Sequence, residues 1–397
     1  MFKDLTIQEL ENRILKLSKA LTKSNSDWDT AFVINKVNQY YLTGTMQDGI
    51  FVLKKDGTYA YFARRSYERA KMESPLENVY PMESYKDVAK IIGDKCGTTF
   101  IETEVVTIGI MERLKKYFVM DEIKPLDKIL FGIRAIKSPY ELYWMQESGK
   151  QHSYLLENIV PSMLKEGMNE ADFTAQLYEK MIKLGYHGVS RFFMFQTEMV
   201  VGQIGFGDSS LFPTSFDGPG GAMGMCPAVP IIGNRNRLLK KGDLVFVDIG
   251  YGVNGYHSDK TQVYMFGAEP TKETLKAHSI CKEIQQKTAS LLKPRNIPSE
   301  IYNTVMSGLD DSFLENFMGF GSRKVKFLGH GVGLHIDEYP VIANGFNEPL
   351  EENMVIALEP KKGIVGVGMV GVEDTYIVTA DGGKCITGGG GDIIAVK

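Results

Sequence analysis

The sequence is poor in several features that would place it in common protein classes. It has four cysteines in 397 residues, Cys96, Cys226, Cys281 and Cys385, widely spaced and without a C-x-x-C pair. That argues against a disulfide scaffold or a thiolate zinc site and reads as free thiols in a reducing compartment. No run approaches the roughly 18 apolar residues that a membrane span needs. The first residues, MFKDLTIQELENRILKL, mix charge into helical apolar spacing and lack the apolar core of a secretion signal. A soluble cytoplasmic protein is expected. Positive charge is not in excess either: 45 Lys plus Arg stand against 49 Asp plus Glu, a formal net charge of −4. The bulk electrostatic reason to bind nucleic acid or an anionic membrane is absent, and neither is expected as a partner.

What is present is an ordinary globular composition, 43% hydrophobic and 24% charged, over a length that suggests two or three domains. Residues 1–137 read as one α/β unit. Thr6 and Glu9 make a capping-box pattern, and Leu10, Ile14, Leu17 and Leu21 follow at helical spacing. Strands are expected around 31–34, 49–53 and 58–62, the last two joined by a Lys54–Gly57 turn. Ser138-Pro139-Tyr140-Glu141 carries the Ser cap, first-turn Pro and third-position Glu of a new helix start. The domain boundary falls just before it, leaving 138–397 as the second domain. His152 lies on the apolar face of that helix and reads as a packed histidine. From about residue 190 glycine becomes dense. Apolar runs at 244–249, 263–266, 354–358 and 376–379 are interrupted by helices near 272–292 and 299–317. Separate runs of strands and helices predict an α+β domain with a curved, mainly antiparallel sheet.

The informative anomalies are carboxylates embedded in apolar runs. Asp248 ends Leu244-Val-Phe-Val-Asp-Ile-Gly250, and Asp259 lies eleven residues on. Glu359 ends Met354-Val-Ile-Ala-Leu-Glu-Pro360, and Glu373 sits in Val370-Gly-Val-Glu-Asp-Thr-Tyr-Ile-Val378. An ionised carboxylate in such a place costs several kcal/mol unless it is paired, protonated or metal-bound. Gly329-His330-Gly331 adds an imidazole whose small neighbours permit close approach. Asp248, Asp259, His330, Glu359 and Glu373 together have the composition of an oxygen-rich site for two divalent metal ions, with some carboxylates bridging. Mn, Co, Fe or Zn would suit it. A bridged metal pair generates a hydroxide nucleophile at neutral pH.

The order Asp, Asp eleven residues later, Gly-His-Gly, Leu-Glu-Pro and Glu-Asp resembles the pita-bread metallopeptidase superfamily (M24) across about 139–397. The N-terminal unit, followed by Arg134-Ala-Ile-Lys-Ser-Pro-Tyr-Glu141, is similar to its aminopeptidase P, prolidase and creatinase branch. The resemblance implies a C-terminal pita-bread fold behind a smaller creatinase-like N-terminal α/β domain. It also implies a homodimer. Asp248 would chelate one metal, Asp259 and Glu373 would bridge, and His330 and Glu359 would complete the second site. Glu359 would double as general base, and Thr261 would support Asp259 from behind. His257 is open between a supporting donor and a sheet-surface residue.

Three positions depart from that pattern. No histidine stands in the loop 216–227 upstream of Asp248. Asp337 replaces the histidine expected after Gly-His-Gly, and Gly371 replaces an arginine two residues before Glu373. His335, two residues before Asp337, is a candidate catalytic substitute. An Asn234–Arg237 segment offers positive charge near the mouth or a solvated loop. The reading is a hydrolase that cleaves an Xaa-Pro dipeptide or short peptide. The alternative is a non-peptidase hydrolase of the same fold acting on a small amide or other metabolite. Either requires the five side chains to meet around a centre that no Lys or Arg head group fills.

Overall fold

The first helix starts where its cap predicts. The Thr6 hydroxyl accepts from the Glu9 amide at 3.2 Å, and Ile7–Ser24 buries Leu10, Ile14, Leu17 and Leu21 along one face. The computed structural model describes residues 5–194, 197–389 and 391–397. They divide into two units, 1–134 and 135–397. No helix among the described residues is long and apolar enough to cross a membrane.

The first unit is built on a six-stranded mixed sheet in the order Val79–Pro81, Tyr59–Ala63, Gly49–Lys54, Thr30–Val33, Lys95–Ile101 and Val119–Pro125. Its hairpin closes at the expected turn, Gly57 donating to the Lys54 carbonyl at 3.0 Å. At the end of the Lys95–Ile101 strand the fully buried Glu102 accepts from the amides of Ile34 (2.5 Å) and Asn35 (2.7 Å) and from Asn38 Nδ2 (2.6 Å). A lone carboxylate is thus satisfied by neutral donors, the condition for burying it.

The second unit opens with Pro139–Tyr154, where the Ser138 cap and Glu141 make both reciprocal bonds. His152 is buried on this helix, with Nδ1 3.2 Å from Ser258 Oγ, so it is the packed histidine expected. Two sheets carry the rest. One runs Ile394–Val396, Tyr256–Phe266, Leu244–Val253, Gly202–Phe206; the other runs Glu338–Ala343, Phe327–Gly331, Val355–Leu358, Asp374–Thr379, Gly382–Cys385. Every pairing is antiparallel except that of Tyr256–Phe266 with Ile394–Val396. A Thr261–Glu373 bridge links the two sheets, and a hairpin of Lys361–Ile364 with Gly368–Gly371 follows Glu359.

Two elements differ from the sequence expectation. The strand read as 263–266 begins at Tyr256, and all eleven of its residues are buried. Its polar first half reads as a loop because it is covered on both faces, which removes the period-two signal. The helix read as 299–317 is two pieces, Pro298–Met306 and Asp311–Leu314, broken around Gly308. Leu244–Val253 and Tyr256–Phe266 are joined by a two-residue Asn254-Gly255 turn, both residues at positive φ. That is the geometry such a hairpin favours.

Candidate metal centre

The hairpin register places the first two acids. Asp248 pairs with Thr261, and Asp259 pairs with Gly250, two residues beyond Asp248. Cross-strand partners share a face, as do residues i and i+2, so Asp248, Asp259 and Thr261 project to one side. In the neighbouring sheet His330 lies opposite Ala357. Glu359 directly follows the Val355–Leu358 strand, and Glu373 directly precedes Asp374–Thr379. The bridge from Thr261 to Glu373 brings the two sets together. All five expected ligands converge.

A sixth side chain, which the sequence reading missed, sits among them. The Lys361 ammonium lies 3.0 Å from Asp248 Oδ2, 2.9 Å from Glu359 Oε2 and 2.7 Å from Glu373 Oε2, with the lysine side chain fully buried. The expectation of a centre free of basic head groups is therefore overturned on the side of Asp248, which the ammonium fills. Glu359 and Glu373 each turn one oxygen to Lys361 and the other to His330. His330 Nε2 is 3.4 Å from Glu359 Oε1, 3.9 Å from Glu373 Oε1 and 3.9 Å from Asp259 Oδ2. The centre has two halves, one filled by an ammonium and one bounded by an imidazole and three carboxylates.

Crowded acids in a dry place resist ionisation. Burial, with Lys361 opposing it and Glu373 adding to it, pushes Asp248 up to about 6. Burial and the charges of Glu373 and Asp248 raise Asp259 well above the carboxylate range. Burial pulls His330 down, but its bond to Glu359 and the surrounding carboxylates more than offset that and lift it to about 10. Burial likewise opposes the Lys361 charge, and Asp248, Glu359 and Glu373 together hold it well above the ordinary lysine value. Every cation position in the centre is in demand.

The supporting residues fall out differently from expectation. Thr261 Oγ1 donates to Glu373 Oε2 at 3.0 Å and so braces Glu373 instead of Asp259. Asp259 is anchored through its backbone, which exchanges bonds with the Thr375 hydroxyl. His257 is buried and not on a sheet surface. Its amide and Nδ1 lie 2.8 and 3.0 Å from the Gly333 carbonyl, which pins the loop after His330. Asp337 accepts from the Phe193 amide at 2.8 Å; burial raises its carboxyl to about 6, and His330 is close enough to pull against that shift. His335 packs edge-on against Phe193, ring centroids 5.9 Å apart. Arg237 is paired with Asp243 at 2.7 Å, so it braces its own loop. Gly371 lies opposite Lys361 at φ +131°, where a Cβ would meet the Pro360 carbonyl at 2.3 Å; an arginine would not fit there. Gln203, cross-strand from Asp248, is buried, and neither amide atom has a partner among the described residues.

The half next to His330 fits a divalent ion. One donor atom each from Asp259, His330 and Glu373 lie within 4.8 Å of one another. Glu373 Oε1 is buried with no hydrogen-bond partner among the described residues, and an orphaned oxygen of that kind calls for a cation. His330 Nδ1 lies 3.1 Å from the Gly331 carbonyl, a bond that turns Nε2 toward the acids as a ligand.

Comparison with known proteins identifies the family. The model of metallopeptidase family M24 matches residues 144–380, and that of the creatinase/prolidase N-terminal domain matches 13–136. The chain is 26% identical over 381 residues to a Xaa-Pro dipeptidase of Pyrococcus furiosus, covering 95% of this chain and 98% of the relative. Among solved structures, the prolidase from Pyrococcus furiosus superposes with a TM-score of 0.74 at 24% identity, covering 93% of this chain and 98% of that one. A Xaa-Pro dipeptidase from Bacillus anthracis gives 0.79 at 21% identity, covering 97% and 99%. These structural likenesses establish the shared fold.

Proposed function

The chain belongs to metallopeptidase family M24, with a pita-bread unit behind a creatinase/prolidase N-terminal domain, and on that premise we propose that it hydrolyses the peptide bond of a short Xaa-Pro substrate with a divalent ion. The observation that carries the proposal is the convergence of Asp259, His330 and Glu373 donor atoms within 4.8 Å. These three residues would hold the ion. When bound, it supplies Lewis acidity at the scissile carbonyl and lowers the pKa of a water.

The protein's own groups do the rest. Glu359 takes the proton of the attacking water and passes it to the leaving nitrogen, through Oε1, the oxygen that neither Lys361 nor the ion engages. Thr261 and Lys361 hold Glu373 in place. His335, two residues before the Asp337 that replaces the family's histidine, is the candidate donor to the carbonyl oxygen. Manganese or cobalt suits the donor set, the widely spaced free cysteines point to a cytoplasmic setting, and a homodimeric assembly is carried over from the family resemblance.

The test is release of the N-terminal residue from a panel of Xaa-Pro peptides with Mn²⁺ or Co²⁺. Turnover that Asp259→Ala abolishes supports the proposal, and no turnover with metal confirmed bound rejects it. Asp337, Gly371 and a histidine-free 216–227 loop favour a second reading, a hydrolase of small amides. The same screen carries such amides, and cleavage of peptides alone removes that reading.

A further inference from the structure

Asp248 has no part in the half of the centre that faces His330. Its Oδ2 accepts from Lys361, and the glycine of the neighbouring loop crowds it: a Cβ on Gly220 would lie 3.0 Å from that oxygen and 2.5 Å from Gln203 Oε1. The ammonium of Lys361 has three protons, and three carboxylate oxygens on three different side chains stand 2.7–3.0 Å away to accept them. Its donor capacity is therefore used up, so it is not free to act as a base or nucleophile. Nζ also lies 5.9 Å from the centroid of the Phe246 ring, which fixes the end of a side chain with no exposed surface. A metal ion bound by those same oxygens would sit about 2.0–2.2 Å from each. It would need the volume that Nζ occupies and would face a fixed positive charge at contact distance. The ammonium and a metal exclude one another.

We propose that Lys361 is a built-in cation standing in one of the two cation positions of this centre, so that the chain takes one divalent ion, on the side of His330. The inference rests on the reading of the centre as a metal site. Asp248 and one oxygen each of Glu359 and Glu373 belong to the lysine. Asp259, His330 and the other oxygen of Glu373 belong to the ion, and the other oxygen of Glu359 stays free as the base. Opposite the lysine, a Cβ on Gly371 would lie 2.3 Å from the Pro360 carbonyl oxygen and 2.6 Å from the Lys361 Cα, so no side chain from that position reaches the centre.

The test is a count. Wild-type protein stripped of metal, loaded with Mn²⁺ and desalted should hold one ion per chain by elemental analysis and show the spectrum of an isolated Mn²⁺ in electron paramagnetic resonance. Lys361→Ala and Lys361→Gly should each hold two ions with exchange coupling between them. Two ions or none in the wild type overturns the proposal, and so does a single ion in both variants. Should neither variant fold, the wild-type count still decides. The count is independent of turnover. One ion with no activity on any substrate leaves this inference standing and removes the proposed function; two ions with activity does the reverse.

Discussion

Two of the lysines buried in the second unit, Lys260 and Lys361, are neutralised in opposite styles. Lys260 Nζ meets Asp374 Oδ1 at 2.8 Å with both side chains fully buried. Thr387 and Gln285 donate to the same carboxylate, and Glu157 adds a longer contact at 3.5 Å. Burial works against the Lys260 charge, and Asp374 outweighs it, holding the lysine above its ordinary value. Lys361 meets three carboxylates, with Asp259 close behind. The two neighbourhoods are assembled from adjacent residues, since Asp259-Lys260 and Glu373-Asp374 are successive positions whose side chains alternate between faces. A one-to-one pair with its remaining lone pairs satisfied is a finished structural element. A surplus of negative charge around one ammonium is unfinished, and only another cation completes it. Burial of charge alone therefore does not mark the functional face; the imbalance does.

The largest expected effect breaks the comparison directly. Lys260→Ala removes the counter-ion of a buried carboxylate and should cost about 3–5 kcal/mol of stability, read from urea unfolding, with no recovery on adding Mn²⁺. Lys361→Ala should also lose stability when metal-free but regain it with Mn²⁺, because its orphaned acids form a site and Asp374 does not. Identical responses of the two variants to Mn²⁺ would erase the distinction.

A somewhat smaller effect comes from Glu102, a buried carboxyl held by neutral donors among the described residues. Burial lifts Glu102 to about 7 from 4.5 against three hydrogen-bond donors. The folded chain therefore keeps a proton that the unfolded chain gives up near 4.5. The stability Glu102 contributes is complete below that value and is lost as pH rises through about 7, about 3 kcal/mol in all. Urea midpoints across pH 4–8 should show this slope and Glu102→Gln should flatten it; an unchanged slope in the variant refutes the assignment. The smallest effect sharpens the picture of the centre. Thr261→Val removes one donor to Glu373 and leaves Lys361 in place, a loss of about 1.5 kcal/mol. A loss as large as that of Lys361→Ala would mean that Thr261, not Lys361, carries Glu373.

The four acids and the imidazole of the centre were legible because each breaks an apolar or glycine-rich run, where an ionisable group needs a reason. Lys361 was not, for the converse reason. In Glu359-Pro-Lys-Lys-Gly363 two lysines beside a glycine read as a solvated turn. Only the strand period separates them, sending Lys361 inward and Lys362 out to the Phe313 carbonyl at 2.9 Å. The first half of Tyr256–Phe266 was hidden in the same way. His257, Ser258, Asp259, Lys260, Thr261 and Gln262 look like a loop, and each is buried because a partner waits on one face or the other. Thr261 was placed correctly beside the acids but given the wrong neighbour, since which of two acids a hydroxyl reaches depends on the bridge between sheets. The helical caps at Thr6 and Ser138 needed no tertiary information and read cleanly.

The Asn254-Gly255 turn sets more than the direction of a hairpin. It fixes whether position 259 or position 260 looks toward Asp248. A single residue inserted between the turn and Asp259 would rotate the whole strand by half a period. Lys260 would then enter the acid centre beside Lys361, and Asp259 would be driven against Asp374. Two basic groups would crowd one face and two acids the other, with no local repair. The stretch from Tyr256 to Asp259 can therefore change length only in even steps, and the spacing of eleven between the first two acids is an arithmetic constraint of the pleat.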